Sequence, residues 1–150
     1  MADTEELTFN ERNIAEFRAN RGVIASFGDA PVLLITTTGA KSGLARTNPV
    51  MYLADEHNDG RVYVFASAAG ADKNPDWFHN AVAHPRGLTV EIGDESLSAD
   101  VEVLGEPTRS QLYAVQAERY PGFAAYQGKT SRQIPVVALT LHHSAREGIS

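Results

Sequence analysis

The residues best suited to bind an anionic group lie on a short turn between two predicted strands. Residues 36–52 read TTTGAKSGLARTNPVMY, in which two glycines bracket Lys41 and Ser42, and Arg46 follows. Glycine permits a tight turn and lets backbone N–H groups approach a ligand closely. A lysine, a hydroxyl and an arginine on such a turn predict a binding site for a phosphate group.

This basic turn differs from a P-loop, which needs four residues between its first glycine and its Gly-Lys-Ser/Thr sequence. Here Lys41 precedes Ser42 and Gly43, and the residues that follow are typical of a strand rather than a helix. A short connection that contains glycine is also ordinary in a β-hairpin. The alternative to a phosphate site is therefore a solvated hairpin tip.

A second segment also favours anions, because it places a loop of small residues before a helix. Residues 66–80 read ASAAGADKNPDWFHN. Asn74 suits the N-cap and Pro75 the first position of a helix that then carries Trp77 and Asn80. The N-terminus of a helix attracts negative charge. We expect Trp77 itself to plug one end of the core rather than to contact a ligand.

Three runs in this order resemble the deazaflavin-dependent nitroreductase and F420H2-dependent quinone reductase family. They are TTTGAKSGLARTNPV, SAAGADKNPDWFHN and YPGFAAYQGKTSRQIPVVAL, and the resemblance extends over about residues 13–141. It implies a split β-barrel that binds coenzyme F420, an 8-hydroxy-5-deazaflavin. It also implies an oxidoreductase that transfers a hydride from the reduced cofactor to a small acceptor, which is a quinone, a nitro compound or another electron-poor molecule. The alternatives are an FMN-dependent oxidoreductase on the same barrel, or a carrier or sensor that binds F420 without turnover.

The resemblance implies three groups of cofactor contacts. The phosphodiester is bound by Lys41, Ser42 and Arg46. The deazaflavin ring lies beside Asn48, Pro49 and Val50. The other side of the ring is covered by a loop that comprises Ser67, Ala68, Ala69, Gly70 and Ala71, with Lys73 as a further contact. Arg18 or Arg21 either meets the acidic tail of the cofactor or lies on a solvated helix face.

One departure from the family pattern lies in this loop. The family usually carries a lysine directly after its serine, whereas Ser67 is followed here by two alanines. The departure removes one side-chain contact to the cofactor. The backbone N–H groups of residues 68–71 remain available, because backbone donors are not lost with a side chain.

The predicted catalytic residues are tyrosines in the C-terminal run. The family places tyrosines there near the acceptor, and Tyr126 matches best, followed by Tyr120. Tyr126 or solvent would protonate the acceptor after the hydride arrives. The alternative for each tyrosine is an amphipathic ring that covers the core. Arg132 also matches the family run, and its role could be structural.

Composition excludes several classes of protein. The chain has 150 residues, of which 43% are hydrophobic and 21% charged, which predicts one soluble domain over residues 1–150. The net charge of −6 argues against a general nucleic-acid binder, which needs a basic face. There are no cysteines, so disulfides and thiolate sites are excluded. The five histidines lack metal-ligand spacing, so no metal site is predicted.

The N-terminal sequence bears on where the protein is located, whereas the oligomeric state is not predicted. The sequence MADTEEL at the N-terminus is acidic and lacks the apolar core of a signal peptide. No stretch approaches the length of a membrane span, so we expect a cytoplasmic protein. Residues 1–7 and 143–150 are expected to be flexible tails. The oligomeric state, monomer or homodimer, stays open.

The elements that position these residues form a mainly β, α+β pattern. A capping box at Thr8 and Glu11 predicts a helix to about Asn20, and a second at Thr108 and Gln111 predicts another. The third of the three predicted helices follows Pro75. Strands are predicted over residues 31–38, 45–53, 61–67, 87–92, 97–104 and 135–141. Because short turns join most of them, we expect about six largely antiparallel strands in a small split barrel.

Overall fold

Six antiparallel strands close into one barrel, as the sequence predicts. The structure is a computed structural model that describes residues 8–58 and 60–142, so the predicted tails lie outside the described residues. The strands are β1 (Val32–Thr38), β2 (Ala45–Ala54), β3 (Arg61–Phe65), β4 (Leu88–Ile92), β5 (Glu95–Val103) and β6 (Val136–His142). Their order around the barrel is β1-β2-β3-β6-β5-β4, and every neighbouring pair is antiparallel.

Four helices surround the described barrel, one more than the sequence predicts. They are α1 (Phe9–Ala19), α2 (Asp76–Ala83), α3 (Thr108–Arg119) and α4 (Gly122–Gly128). The additional one is α4, whose sequence has only a weak helical pattern. None of the helices in the described range is long and apolar enough to cross a membrane.

The N-terminus of α1 has the predicted capping box. The Thr8 hydroxyl accepts the Glu11 N–H at 3.0 Å, and the Glu11 carboxylate accepts the Thr8 N–H at 2.9 Å. Phe17 is buried, and Ile14 packs on the same apolar cluster, so these two side chains dock α1 on the barrel. The helix therefore begins and faces the barrel as its sequence indicates.

Two other predicted helix caps are wrong. The N-cap of α2 is Pro75 rather than Asn74, because the Asn74 side chain accepts a hydrogen bond from Arg132 instead. The predicted capping box of α3 is absent, and its N-cap is Pro107. The Glu106 carboxylate accepts the backbone N–H and the hydroxyl of Ser110 at 3.0 and 2.8 Å, so an acidic side chain before the helix satisfies its first turn.

Residues 62–65 of β3 and 136–139 of β6 are buried on both faces, because their side chains alternate between the barrel interior and the outer helices. Val64 and Val137 belong to an interior cluster that Trp77 joins. Phe65 and Val136 belong to a second cluster, which includes side chains of α3 and α4. The barrel is therefore packed inside, and ligand cavities lie at its edge.

Candidate functional site

Strand β2 lines two cavities in succession. Residues 46–48 line a cavity of about 1100 Å³, here called the polar cavity, and residues 49–51 line a second of about 220 Å³, here called the aromatic cavity. A strand advances about 3.3 Å per residue, so Arg46 and Val50 lie roughly 13 Å apart along it. One elongated ligand can therefore contact both cavities along a single strand.

The polar cavity collects four of the predicted cofactor contacts. Its lining comprises Thr8, Asn10, Glu11, Ile14, Gly39, Ala40, Lys41, Ser42, Ala45, Arg46, Thr47, Asn48, Asp76, His79 and Asn80. Lys41 and Arg46 are exposed, and within the described ranges neither forms an ion pair. The Glu11 carboxylate, by contrast, already accepts the Thr8 N–H. The two cations are therefore free to attract an anionic ligand.

The basic turn has the backbone geometry that its glycines predict. Gly39 donates its N–H to Leu44 O at 2.8 Å, and Gly43 donates to Gly39 O at 2.9 Å. Gly43 has a φ of 73°, a region that favours glycine. The Ser42 hydroxyl oxygen accepts the Leu44 N–H at 3.1 Å. Ser42 therefore shapes the turn, and its hydroxyl hydrogen is still able to donate to a ligand.

Asn80 of α2 holds this turn in place. Its side-chain oxygen accepts the Ala40 N–H at 2.9 Å, and its side-chain nitrogen donates to the Thr37 hydroxyl at 3.2 Å. Asn80 and Thr37 are both buried. The sequence places Asn80 on α2 but assigns it no role. The sequence feature that could have identified Asn80 is a polar residue one turn after Trp77, on the buried face of the helix.

Helix α1 covers the other side of the polar cavity. Asn10 donates from its side chain to Thr47 O at 3.0 Å, and the hydroxyls of Thr36 and Thr47 are 2.8 Å apart. Sequence reasoning missed these residues, because a capping box locates a helix but not the strand on which it docks. Arg18 is not among the residues lining either cavity. It forms a bidentate pair with Glu91, whose hydrogen bonds raise the pKa of Arg18.

The aromatic cavity collects six further predicted residues. Its lining comprises Phe27, Pro49, Val50, Met51, Phe65, Ser67, Ala68, Ala69, Pro75, Trp77, Phe123 and Tyr126. None of these described lining residues is an acid, a histidine, a lysine or an arginine. Five aromatic rings line the cavity, and sequence reasoning assigned a ligand contact only to Tyr126. Such a cavity fits a flat, uncharged ring system.

Tyr126 is one of the residues that line the aromatic cavity. Its ring is half-buried and packs edge-on against Phe123, with the ring centroids 5.3 Å apart. Among the described residues, none forms a hydrogen bond with the Tyr126 hydroxyl. Phe123 is fixed in turn by Tyr113, whose hydroxyl donates to Phe123 O at 2.6 Å. Burial raises the pKa of Tyr113, so it remains a donor at neutral pH.

The small-residue loop has an unusual backbone. Ala68, Ala69 and Gly70 have φ values of 46°, 55° and 86°, all in the left-handed region. Alanine adopts this region at a cost of about 1–2 kcal/mol. Such conformations concentrate at ligand-binding sites. The loop therefore marks a candidate ligand contact.

Two of the four predicted backbone donors are already used inside the loop. Gly70 donates to Ser67 O at 2.8 Å, and Ala71 donates to Ala68 O at 3.1 Å. The N–H groups of Ala68 and Ala69 have no partner among the described residues. These two N–H groups are therefore the ones available to a ligand.

Four predicted site residues do not line either cavity. Gly70 is buried where an added Cβ would lie 2.9 Å from Tyr126 O, and Ala71 is exposed just after it. Lys73 is exposed. Tyr120 is half-buried and packs on the cluster of α3 and α4. Gly70 supports the cavity wall from behind, and its contacts leave no room for a larger residue.

Comparison with known proteins identifies the family of this chain. The sequence profile of the F420H(2)-dependent quinone reductase family matches residues 10–141. An F420H(2)-dependent quinone reductase of Mycobacterium tuberculosis (strain ATCC 25618 / H37Rv) is 32% identical over 117 residues, which is 75% of each chain. A solved F420-H2 dependent reductase (FDR-A) is 37% identical, with a TM-score of 0.63 over 73% of this chain and 93% of that one.

A second solved structure, described as a domain-swapped dimer, is 34% identical. Its TM-score is 0.65, and the match covers 85% of this chain and 95% of that chain. The profile spans most of the chain, and the identities exceed 30% over most of its length. The chain therefore belongs to the F420H(2)-dependent quinone reductase family, a family of oxidoreductases.

Proposed function

We propose that this protein reduces a quinone with reduced F420, and that the cofactor lies extended along β2. In this arrangement the polar cavity would bind the phosphodiester of the cofactor through Lys41, Ser42 and Arg46. The aromatic cavity would hold the deazaflavin ring beside Pro49 and Val50. The observation that carries the proposal is that one strand lines both cavities in succession.

The charges of the two cavities support this orientation. The net charge of the chain is −6, so an anionic ligand is repelled by most of the surface. Lys41 and Arg46 supply the positive charge in the polar cavity, which the carboxylates of Glu11 and Asp76 also line. The aromatic cavity has no charged side chain among its described lining residues, which suits a neutral ring. The reverse orientation would leave a phosphate without a cationic partner.

When bound, reduced F420 supplies a hydride from the ring carbon that replaces the central nitrogen of flavin. The protein orients the reactants and excludes water, and none of its residues needs to act as a nucleophile. The N–H groups of Ala68 and Ala69 would bind polar atoms at the edge of the ring. A quinone takes up one hydride and one proton to become a quinol. The Tyr126 hydroxyl, or solvent, would donate that proton.

Location and assembly remain predictions. A cytoplasmic location stays a prediction, and fractionation of cells would test it. The similarity to a domain-swapped dimer makes a homodimer the assembly to test first. Light scattering of the purified protein would distinguish a dimer from a monomer. Nitro compounds are further candidate acceptors, and a turnover panel would rank them against quinones.

The decisive experiment is calorimetric titration of the purified protein with F420 and with FMN. We expect F420 to bind at least about tenfold more tightly, a difference of roughly 1.4 kcal/mol. Equal affinity, or preference for FMN, would contradict the proposal. Turnover of reduced F420 with a quinone separates an enzyme from a carrier. Tight F420 binding without oxidation across a panel of acceptors would favour the carrier.

A further inference from the structure

Arg132 binds the loop that forms one wall of the aromatic cavity. Its guanidinium donates from Nη2 to Ser67 O at 3.1 Å, from Nε to Ala71 O at 2.9 Å, and from Nη1 to the Asn74 side-chain oxygen at 2.6 Å. These acceptors lie on either side of the left-handed stretch, residues 68–70. All three nitrogens of one side chain are thus used to hold one loop.

The backbone of Arg132 is connected to the helix that carries Tyr126. Gln127 donates from its side-chain nitrogen to Arg132 O at 2.7 Å. The side-chain oxygen of Gln127 accepts from Ile134 N at 3.1 Å and from Arg109 Nη2 at 2.6 Å, and Arg109 is buried. Gln127 directly follows Tyr126 in α4. A continuous chain of hydrogen bonds therefore joins the loop to the helix that carries Tyr126.

The loop needs this support because its backbone is unfavourable on its own. Ala68 and Ala69 are both left-handed, and such conformations persist only when the surroundings fix them. A guanidinium presents its donors in a rigid planar fork, so it can hold several acceptors at once. A lysine in its place keeps the charge but has one nitrogen, which cannot replace three nitrogens directed at three acceptors.

We propose that Arg132 is a positioning residue for hydride transfer, because it fixes the separation of the Ala68–Ala69 wall and the Tyr126 wall. This inference rests on the proposed function, in which the reactants meet between these walls. A displacement of about 1 Å between reacting groups can cost on the order of a hundredfold in rate. Loss of the guanidinium should therefore lower kcat more than it weakens cofactor binding through the distant polar cavity.

The first test uses the cofactor-free protein. Trp77 is the only tryptophan and lines the aromatic cavity, so its emission and its quenching by acrylamide report on that cavity. We expect Arg132→Lys to shift both signals. The matched control is Arg119→Lys, which removes the guanidinium that pairs with Glu56 outside both cavities and should leave the signals unchanged. Unshifted Trp77 signals in folded Arg132→Lys would overturn the proposal.

The second test measures turnover of reduced F420 with a quinone. We expect kcat of Arg132→Lys to fall by about tenfold to a hundredfold. The deuterium isotope effect on the transferred hydride should rise, because hydride transfer becomes the slowest step. Methylguanidinium should restore part of the activity of Arg132→Ala. A wild-type kcat in folded Arg132→Lys, or an equal loss in Arg119→Lys, would overturn the proposal.

The two tests separate this inference from the proposed function. A wild-type protein that binds no F420 would contradict the proposed function, and the Trp77 comparison would still decide whether Arg132 fixes the cavity wall. An active wild type with an unaffected Arg132→Lys variant would contradict only the inference about Arg132.

Discussion

The side chain of Asn80 accepts the backbone N–H of Ala40 at 2.9 Å, so helix α2 determines where the basic turn lies. The same amide donates to the buried hydroxyl of Thr37 at the end of β1. A phosphate site on a hairpin tip would otherwise move with the tip. This contact explains how a surface turn can hold Lys41 in a fixed position near Arg46 of β2.

Replacing Asn80 by alanine should therefore affect stability and binding together. The buried Thr37 hydroxyl and the partly buried Ala40 N–H lose their partner, which we expect to lower the free energy of unfolding by about 1–3 kcal/mol. F420 affinity should also fall, because the turn loses its anchor. Urea denaturation and calorimetry measure the two effects. Asn20→Ala, at the exposed end of α1, is the control and should change neither. Unchanged F420 affinity in folded Asn80→Ala would exclude this anchoring role.

The basic turn itself makes a prediction about charge. A charge-assisted hydrogen bond contributes about 1.5–3 kcal/mol, so Arg46→Ala should weaken F420 binding by about tenfold to a hundredfold. Arg46→Lys should cost less, because it keeps the charge but loses the guanidinium fork. Higher salt should weaken wild-type binding, and Lys41→Ala should show a shallower salt dependence.

The control for these variants is Arg119→Ala, because Arg119 pairs with Glu56 away from both cavities. It should bind F420 as the wild type does at every salt concentration. If folded Lys41→Ala and Arg46→Ala also match the wild type, the basic turn is a solvated hairpin tip and not part of the site.

Tyr126→Phe should lower turnover with a quinone by about a hundredfold if this hydroxyl is the proton donor. Its F420 affinity should stay near the wild-type value, because the ring and its contact with Phe123 are kept. Tyr120→Phe is the comparison, since Tyr120 lines neither cavity, and it should remain active. Stopped-flow oxidation of reduced F420 measures the turnover of both variants. Full activity of Tyr126→Phe would assign the proton to solvent.

The left-handed loop predicts an unusual response to glycine. Ala69→Gly removes a backbone strain of about 1–2 kcal/mol from the folded state. Against this, glycine loses more conformational entropy on folding, which costs about 0.5–1 kcal/mol. We therefore expect the free energy of unfolding to stay equal or rise by up to about 1.5 kcal/mol. Ala114→Gly, at an exposed position within α3, should lower it by about 1 kcal/mol. Denaturant titrations test whether the two substitutions change the free energy of unfolding in opposite directions. Equal losses in both variants would contradict the left-handed backbone.

Glu106 predicts a dependence of stability on pH. The hydroxyl and N–H of Ser110 hold the pKa of Glu106 below its ordinary value. The stabilisation is therefore present above the ordinary glutamate pKa and is lost as pH falls through the lowered value. Glu106→Gln should be less stable than the wild type near neutral pH, with the gap closing in acid. A gap that stays constant in urea titrations from pH 7 to about pH 3 would contradict this account.

Local patterns in the sequence were sufficient to predict the family, the six strands and the α1 capping box. Each depends on residues close together in the chain: alternating side chains make strands, and Thr8 with Glu11 caps a helix. The glycines of residues 39–43 likewise specify their turn without outside help, because allowed φ values are a property of each residue. The predicted site residues that line the two cavities come mostly from such continuous segments.

Only the tertiary structure decided how these segments are joined. Asn80 reaches Ala40 across 40 residues, and Arg132 reaches Ser67 across 65 residues. Asn74 and Glu106 show the same limit. Asn74 was predicted to cap a helix, but its side chain accepts a hydrogen bond from Arg132 instead. Glu106 accepts an N–H in the first turn of α3, although its position does not match a capping box. Polar side chains bond to whichever backbone or side-chain group the closed barrel brings near them. No local pattern contains that information, because the partner is chosen by packing between distant parts of the chain.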